Sequence, residues 1–213
     1  EAPGLNLRGF FGEKPQQILY LPFDNTIADQ VNYFKDPVKS ENINFGNGIK
    51  NNSLNSINKA TTINLPLEEI GNSYTISFWA QPKSTNGKIN FVSKNAKVEI
   101  NKNGISFSRD GYNYKMVDSF NSSNWSFVTI TGNKESTSLY IDGKLVNKMD
   151  PEKIILPYKD KVDKEISYNK VKTLTFPLRK ITLNDFSFDE LKIYNKELSK
   201  DEILNEFMLL EKE

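Results

Sequence analysis

The residues best suited to ligand chemistry lie along one alternating stretch, 74–81. One face of the predicted strand carries Ile76, Phe78 and Ala80, and the other carries Thr75, Ser77, Trp79 and Gln81. An aromatic ring beside hydroxyl and amide groups suits an amphipathic ligand such as a sugar, whose C–H surface packs on the ring. We therefore predict an open, concave sheet face with five ligand-binding side chains: Trp79, Gln81, Arg109, Tyr112 and Tyr114. The alternative is that Trp79 packs between two sheets, as large aromatic residues of sandwich strands mostly do.

The sequence lacks the usual catalytic side chains. It contains no cysteine and no histidine, which excludes disulfides, thiolate catalysis, cysteine-ligated zinc and the common general base near neutral pH. A retaining glycosidase needs two carboxylates about 5 Å apart, and no Glu-x-Asp-x-Glu string occurs. Asp189 and Glu190 are adjacent, so regular alternation points them to opposite faces of a strand. We therefore predict no enzyme activity. Carboxylates brought together from separate strands are the alternative.

The charge and hydropathy of the sequence limit the classes of partner that we expect. The formal net charge is +1, with 28 basic residues, of which only Arg8, Arg109 and Arg179 are arginines. Bidentate base reading depends on arginine, so nucleic acid is not an expected partner. No apolar run approaches the ~20 residues needed to span a bilayer. The abundance of Lys, Asn and Ile indicates a bacterial gene of low GC content.

Several elements must position these side chains. A hairpin is predicted from residues 124–132 and 137–146, apolar on both faces, with Trp125 expected in the core and Asp142-Gly143 as a turn of positive φ. Residues 88–117 indicate an antiparallel meander. Ser199 and Glu202 form a capping box, and Leu198 faces Ile203 as a hydrophobic staple, so a helix is predicted to begin here. We expect the apolar stripe of this helix to pack on the strands.

Four stretches in order carry a family resemblance. They are 21–25 (LPFDN), 74–79 (YTISFW), the hairpin with Trp125, Phe127, Val128 and 139–144 (LYIDGK), and 188–194 (FDELKIY) followed by 198–203 (LSKDEI). This pattern resembles the laminin-G-like, concanavalin A-like lectin jelly-roll family, and it is also similar to the lectin-like half of clostridial neurotoxin binding regions. The resemblance implies an all-β, two-sheet antiparallel jelly-roll sandwich with a short C-terminal helix.

The same resemblance sets the expected boundaries. Residues 1–17 are predicted to form an N-terminal leader segment and residues 18–213 one laminin-G-like jelly-roll domain. Sandwiches of this length often fold as one unit. The charged stretch 150–172 departs from the compact family pattern, so we predict an inserted loop or mobile flap there.

A structural calcium ion is also implied by the resemblance. Carried over by motif, its side-chain ligands are Asp24 and Asp189, with backbone carbonyls of the Asn25 loop completing an oxygen shell. The family often has glycine where Asn25 stands. The alternative is that Asp24 caps a turn and Asp189 ends a strand.

The functional hypothesis follows from fold and site together. We predict a non-catalytic, lectin-like recognition module of an extracytoplasmic bacterial protein (secreted, periplasmic or on the cell surface) with a glycan or a surface protein as partner. A structural or adhesive protein-binding domain of the same fold is the main alternative, and a carboxylate-dependent glycoside hydrolase is the third.

Overall fold

A computed structural model describes residues 16–109, 112–117, 119–120, 123–149, 155–159, 166–170 and 174–211. Over these residues the chain forms nineteen strands and one helix. In chain order they are β1 (Gln17–Leu21), β2 (Lys39–Glu41), β3 (Phe45–Asn47), β4 (Asn52–Ser56), β5 (Thr61–Asn64), β6 (Glu69–Ile70), β7 (Tyr74–Pro82), β8 (Lys88–Val92), β9 (Ala96–Asn101), β10 (Gly104–Arg109), β11 (Tyr112–Val117), β12 (Ser126–Gly132), β13 (Thr137–Ile141), β14 (Lys144–Lys148), β15 (Ile155–Lys159), β16 (Ile166–Lys170), β17 (Phe176–Pro177), β18 (Lys180–Asn184), β19 (Phe186–Tyr194) and α1 (Lys200–Glu211).

Most strands belong to two antiparallel sheets. The back sheet has the order β14-β13-β12-β7-β19-β4-β3, with β1 also paired to β19, and the front sheet has the order β11-β10-β9-β8-β18-β5-β2. Two short ribbons, β15-β16 and β17-β6, stand apart from them. The predicted all-β, two-sheet sandwich with a short C-terminal helix is thus confirmed.

The core lies between the sheets and is rich in phenylalanine. Phe78 and Phe188 of the back sheet contact Phe91 of the front sheet, with ring centroids 5.3 Å (Phe78–Phe91) and 6.2 Å (Phe188–Phe91) apart. All three side chains are fully buried. Ile76, Phe78 and Ala80 all belong to this core. The alternation of side chains along β7 therefore places these three residues on the inward face, as predicted.

The central hairpin forms as its sequence indicates. Asp142 and Gly143 adopt φ values of 50° and 75°, and the Asp142 carboxylate accepts a hydrogen bond from the Phe127 amide at 2.8 Å. Val128 and Ile130 of β12 join the core, whereas Phe127 packs on the opposite face in a second cluster. Trp125, predicted to be a core residue, is partly buried and packs against that second cluster instead.

Helix α1 begins with the predicted capping box. The Ser199 hydroxyl accepts from the Glu202 amide at 3.2 Å, and the Ser199 amide donates to the Glu202 carboxylate at 2.7 Å. Leu198 and Ile203 are both buried in the second cluster, as a staple requires. Two predictions on the outer segments concern mainly residues that the structure does not describe. The 1–17 leader lies almost entirely there, and within 150–172 only the ribbon β15-β16 is described.

Candidate functional site

Trp79 lies on the face of β7 opposite the core, as alternation predicts, but that face is not open. Helix α1 covers it, leaving Trp79 only 3% exposed. Its ring stacks on Phe207 of the helix at a centroid distance of 5.7 Å and lies 5.2 Å from Phe127. The predicted exposure of Trp79 is therefore wrong. The physical reason is that the apolar stripe of α1 must itself be buried, and the Trp79 face supplies its platform.

The polar neighbours of Trp79 serve the same interface. The Thr75 hydroxyl donates to the Lys196 carbonyl at 2.8 Å and accepts from the Leu198 amide at 2.8 Å, while the Ser77 hydroxyl lies 3.5 Å from the Glu206 carboxylate. A face with hydroxyl groups thus fixes the segment leading into the helix. Sequence alternation alone cannot tell such a face from an open ligand-binding one.

The other predicted ligand-binding residues are not gathered around Trp79. Gln81 on the back sheet donates to the Ser123 carbonyl at 2.9 Å and accepts from Lys83 at 2.9 Å. Arg109 and Tyr114 lie instead on neighbouring strands of the front sheet, and Tyr112 pairs with Arg109 in that register. The predicted single cluster is therefore wrong. That Gln81, Arg109, Tyr112 or Tyr114 contacts a ligand individually stays a prediction.

Arg109 is held in a polar network at one end of the sandwich. One guanidinium nitrogen, Nη2, contacts both Glu69 carboxylate oxygens at 2.8 and 2.9 Å, and Nη1 donates to the Thr175 hydroxyl at 2.8 Å. Burial acts to raise the pKa of Glu69, but hydrogen bonds from Ser93 and Thr175 and the charge of Arg109 hold that pKa below its ordinary value. The network joins β10 to β6, so its first role is structural.

The two predicted calcium ligands do meet at one turn, residues 48–52. Asp24 accepts a hydrogen bond from the Asn52 amide at 3.1 Å, and Asp189 accepts one from the Ile49 amide at 2.9 Å. The approach is so close that a Cβ atom added to Gly48 would lie 2.4 Å from an Asp189 carboxylate oxygen. Two aspartates far apart in sequence thus anchor a single turn.

A third carboxylate adjoins this pair. Glu190 lies at an irregularity in the β19–β7 pairing with φ 52°, so the regular alternation that predicted opposite faces for Asp189 and Glu190 does not hold there. Both are buried. One Glu190 oxygen accepts from the Tyr20 hydroxyl at 2.7 Å, and the other is buried without a hydrogen-bond partner. Burial and then the charge of Glu190 raise the pKa of Asp189 to about 8.

The fit of this acidic cluster to a calcium ion is partial. No group of three or more His, Cys, Asp or Glu within the described residues is arranged to hold a metal ion, so side chains alone do not complete a site. Ca²⁺ takes six to eight oxygen ligands, and Asp24 and Asp189 would need backbone carbonyls to reach that number. The unpartnered Glu190 oxygen and the proximity of several carboxylates are the features that favour a cation.

A cleft that the sequence reasoning missed lies in the loop after β1. This loop cleft has a volume of about 400 Å³, within the usual range for ligand sites. It is lined by a mixture of apolar and polar residues: Thr26, Ile27, Ala28, Asp29, Asn32, Phe34, Lys35, Asp36, Pro37, Val38 and Pro66. The segment has no periodicity, and the only signal in it was the pair of aromatic residues Tyr33 and Phe34 within a polar stretch.

The fold now identifies the class of protein. The chain matches the laminin G model of the concanavalin A-like lectin/glucanase superfamily over residues 56–204, which is more than half of its length. It therefore belongs to this superfamily. A search of curated protein sequences finds no match.

Solved structures give the same fold. The binding domain of botulinum neurotoxin serotype D superposes with a TM-score of 0.61 at 20% identity, over 90% of this chain and 50% of that one. Domain 4 of AbnA, a GH43 extracellular arabinanase from Geobacillus stearothermophilus, in complex with arabinotriose, gives 0.63 at 16% identity over 91% and 98% of the two chains. The binding domain of botulinum neurotoxin DC in complex with SialylT gives 0.60 at 22% identity over 91% and 51%. The chain thus spans about half the length of these neurotoxin structures.

Proposed function

We propose that this domain is a non-catalytic carbohydrate-binding module whose ligand enters the loop cleft. Its superfamily includes lectins, and two of the structural neighbours were solved with arabinotriose and with SialylT bound. Those ligands belong to the neighbours. What carries the proposal for this chain is the loop cleft itself, which combines an aromatic residue with carboxylate, amide and ammonium groups.

The apolar part of the cleft is anchored to the core. Ile27, Phe34 and Val38 are partly buried and pack against the main hydrophobic cluster. Tyr33 lies edge-on to Phe34, with ring centroids 5.1 Å apart, and is 57% exposed. Aromatic and aliphatic side chains at this position offer a surface for the C–H face of a sugar ring.

The polar part is preorganised by Asp29. Its carboxylate accepts from the amides of Tyr20 at 3.0 Å, Val31 at 3.0 Å and Asn32 at 3.2 Å. These three hydrogen bonds fix a loop that has no regular secondary structure. Rigid loops lose less conformational entropy on binding. Asn32, Lys35 and Asp36 are exposed at this cleft and are the groups proposed to meet sugar hydroxyls.

Hydrolysis is not proposed for this cleft. A glycosidase needs one carboxyl group that carries a proton and a second that is free to act as base or nucleophile. Asp29 is committed to three backbone amides, and Asp36 is an exposed side chain. The carboxyl groups with raised pKa values, Asp189 and Glu190, are buried instead of lining the cleft.

A glycan array followed by calorimetry with the best ligand tests the proposal. Arabinotriose and N-acetylneuraminic acid serve as named probes beside the array. Asp36→Asn and Phe34→Ala are expected to weaken binding at least tenfold, whereas Asp201→Asn, an exposed acid on α1, should leave it unchanged. Because Phe34 packs against the core, each variant is checked by its melting temperature. Absence of any glycan ligand would refute the function, and full binding by Asp36→Asn and Phe34→Ala would refute the site.

A protein-binding role is the second candidate, because several large apolar side chains are exposed on β14 and α1. Leu145 and Val146 on β14 are 42% and 44% exposed, and Leu209 on α1 is 70% exposed. Strand β14 is an edge of the back sheet, and edges with apolar side chains favour association. Concentration-dependent association that Leu145→Lys abolishes would favour this role over glycan binding.

We also infer an extracytoplasmic location, supported by the extracellular arabinanase among the neighbours. Within the described residues, no helix has the length and apolar character that crossing a membrane demands.

A calcium ion held by Asp24 and Asp189 completes the proposal. The ion would neutralise the buried acidic cluster and tie the 48–52 turn to β19. Proton uptake by Asp189 is the competing way to relieve the same charge. The melting temperature in EDTA and in millimolar calcium distinguishes them, because an ion that binds only the folded state raises it.

A further inference from the structure

The outward face of the front sheet is polar and strongly basic. Its inward residues, such as Ile63, Phe91 and Ile100, are fully buried. The outward charged residues of its strands are five lysines and two glutamates: Lys39, Glu41, Lys88, Lys97, Glu99, Lys115 and Lys180. This gives the face a formal charge of +3, whereas the whole chain carries +1. Positive charge is therefore concentrated on one side of the molecule.

The strand register arranges three of these lysines in a line. One row of paired residues crosses the sheet from edge to edge: Lys39, Asn64, Lys180, Val92, Lys97, Ser108 and Asn113. Lysines thus occur on three alternate strands, β2, β18 and β9, at a spacing of about 10 Å given ~4.8 Å between strands. Three charges in a row at even intervals suit an extended polymer with regularly spaced negative groups.

The neighbouring row supplies hydrogen-bonding groups. It runs Glu41, Thr62, Thr182, Asn90, Glu99, Ser106 and Lys115. A depression of about 240 Å³ opens beside its far end, lined by Asn101, Asn103, Gly104, Ser106, Asn113 and Lys115. Amide and hydroxyl groups of this kind match the hydroxyl groups of a sugar chain.

Structural needs account for only part of this set of lysines. Lys97 pairs with Glu99 at 3.2 Å, but no ion pair within the described part of the chain joins Lys39, Lys88 or Lys180 to a carboxylate. Lysine is common on edge strands because it prevents sheet-to-sheet association. This explanation applies to Lys39 on the edge strand β2, but Lys88, Lys97 and Lys180 lie on β8, β9 and β18, which are interior strands.

We propose that this face binds an acidic polysaccharide laid across the strands, with carboxylate or sulfate groups at Lys39, Lys180 and Lys97. The row begins beside the loop cleft, because Lys39 directly follows the cleft residue Val38, but no residue of the row lines the cleft. Loss of binding through Lys180 and Lys97, which lie further along the row, therefore tests this proposal independently of the function assigned to the cleft. None of the residues in the two rows is aromatic or arginine, and those are the residues that stack on bases or read them. A row of lysine charges beside amide and hydroxyl groups therefore favours an acidic glycan over nucleic acid.

The test is binding of the whole chain to polygalacturonate, measured by calorimetry at low salt, beside its fully methyl-esterified form. Wild type should bind the free acid and not the ester, and affinity should fall as salt rises, because exposed charges are screened. The triple variant Lys39→Gln, Lys97→Gln, Lys180→Gln should bind on the order of 100-fold more weakly, at about a factor of five per lysine near an anionic surface.

A matched variant controls for net charge. Lys144→Gln, Lys148→Gln, Lys200→Gln removes the same charge from exposed residues of the back sheet and α1, and it should bind polygalacturonate as wild type does. Both triple variants should keep the wild-type melting temperature. Equal weakening by the two triple variants, equal binding of the ester, no binding of polygalacturonate, or tighter binding to single-stranded DNA or to vesicles containing anionic lipid would each overturn the proposal.

Discussion

The ion pair between Arg109 and Glu69 allows a quantitative test of the role given to Arg109. The two side chains retain 27% and 21% of their exposure, so the pair is neither fully buried nor freely solvated. A charge-assisted hydrogen bond contributes about 1.5–3 kcal/mol, and one guanidinium nitrogen of Arg109 contacts both carboxylate oxygens of Glu69. Partial solvent screening lowers this contribution, which leaves a coupling energy of about 2 kcal/mol.

The assay is a double-mutant cycle measured by urea unfolding. Arg109→Met, Glu69→Gln and the combined variant yield the coupling energy from their free energies of unfolding. The control is Lys97→Met, which removes the ion pair of Lys97 and Glu99, whose side chains are 44% and 24% exposed. Exposed pairs of this kind contribute under about 1 kcal/mol. A coupling energy for the Arg109 pair no larger than this would refute a structural role.

The same pair predicts a pH dependence. The pKa of Glu69 in the folded protein lies below its ordinary value of 4.5, so the unfolded state binds the proton more readily. The stabilisation by Glu69 is therefore fully present above pH 4.5 and is lost as the pH falls through the folded-state pKa. The difference in unfolding free energy between wild type and Glu69→Gln should be constant from pH 6 to 8 and shrink in acid. A difference that grows in acid would contradict this assignment.

Three further outcomes are expected. Trp79→Ala should destabilise by about 3–5 kcal/mol in urea unfolding, because Trp79 is buried against Phe207; a change under 1 kcal/mol would mean that α1 does not cover it in solution. Gly48→Ala should lower the melting temperature, since the added methyl group meets the Asp189 carboxylate, and an unchanged temperature would show that the turn relaxes freely. Calcium should raise the melting temperature of wild type and not of Asp189→Asn; identical melting in EDTA and in calcium would leave Asp24 and Asp189 as turn anchors alone.

Local sequence signals predicted much of the fold. Asp142-Gly143 marked a turn that only residues tolerant of positive φ adopt readily, and the capping box of Ser199 and Glu202 marked the start of α1. Alternation along β7 placed Trp79 correctly on the face opposite Phe78. Each of these features depends on residues close together in sequence.

Local sequence signals could not predict which element covers the Trp79 face of β7. The cover depends on where α1 docks, about 120 residues later in the chain, and hydroxyl-bearing residues such as Thr75 serve a docking segment as well as they serve a ligand. The row of Lys39, Lys180 and Lys97 is likewise invisible in the sequence, because only strand pairing brings those three residues into line. The loop cleft lacks any periodic signal.

The cover formed by α1 has an optical consequence. Trp79 and Trp125 are the only two tryptophans in the chain, and both belong to or pack against the cluster beneath the helix. Tryptophan emission should therefore report the docking of α1. Neither the loop cleft nor the basic row on the front sheet contains a tryptophan, so ligands at those surfaces should leave the emission spectrum unchanged. Partial detachment of the helix should instead shift the emission to longer wavelength before the strands unfold.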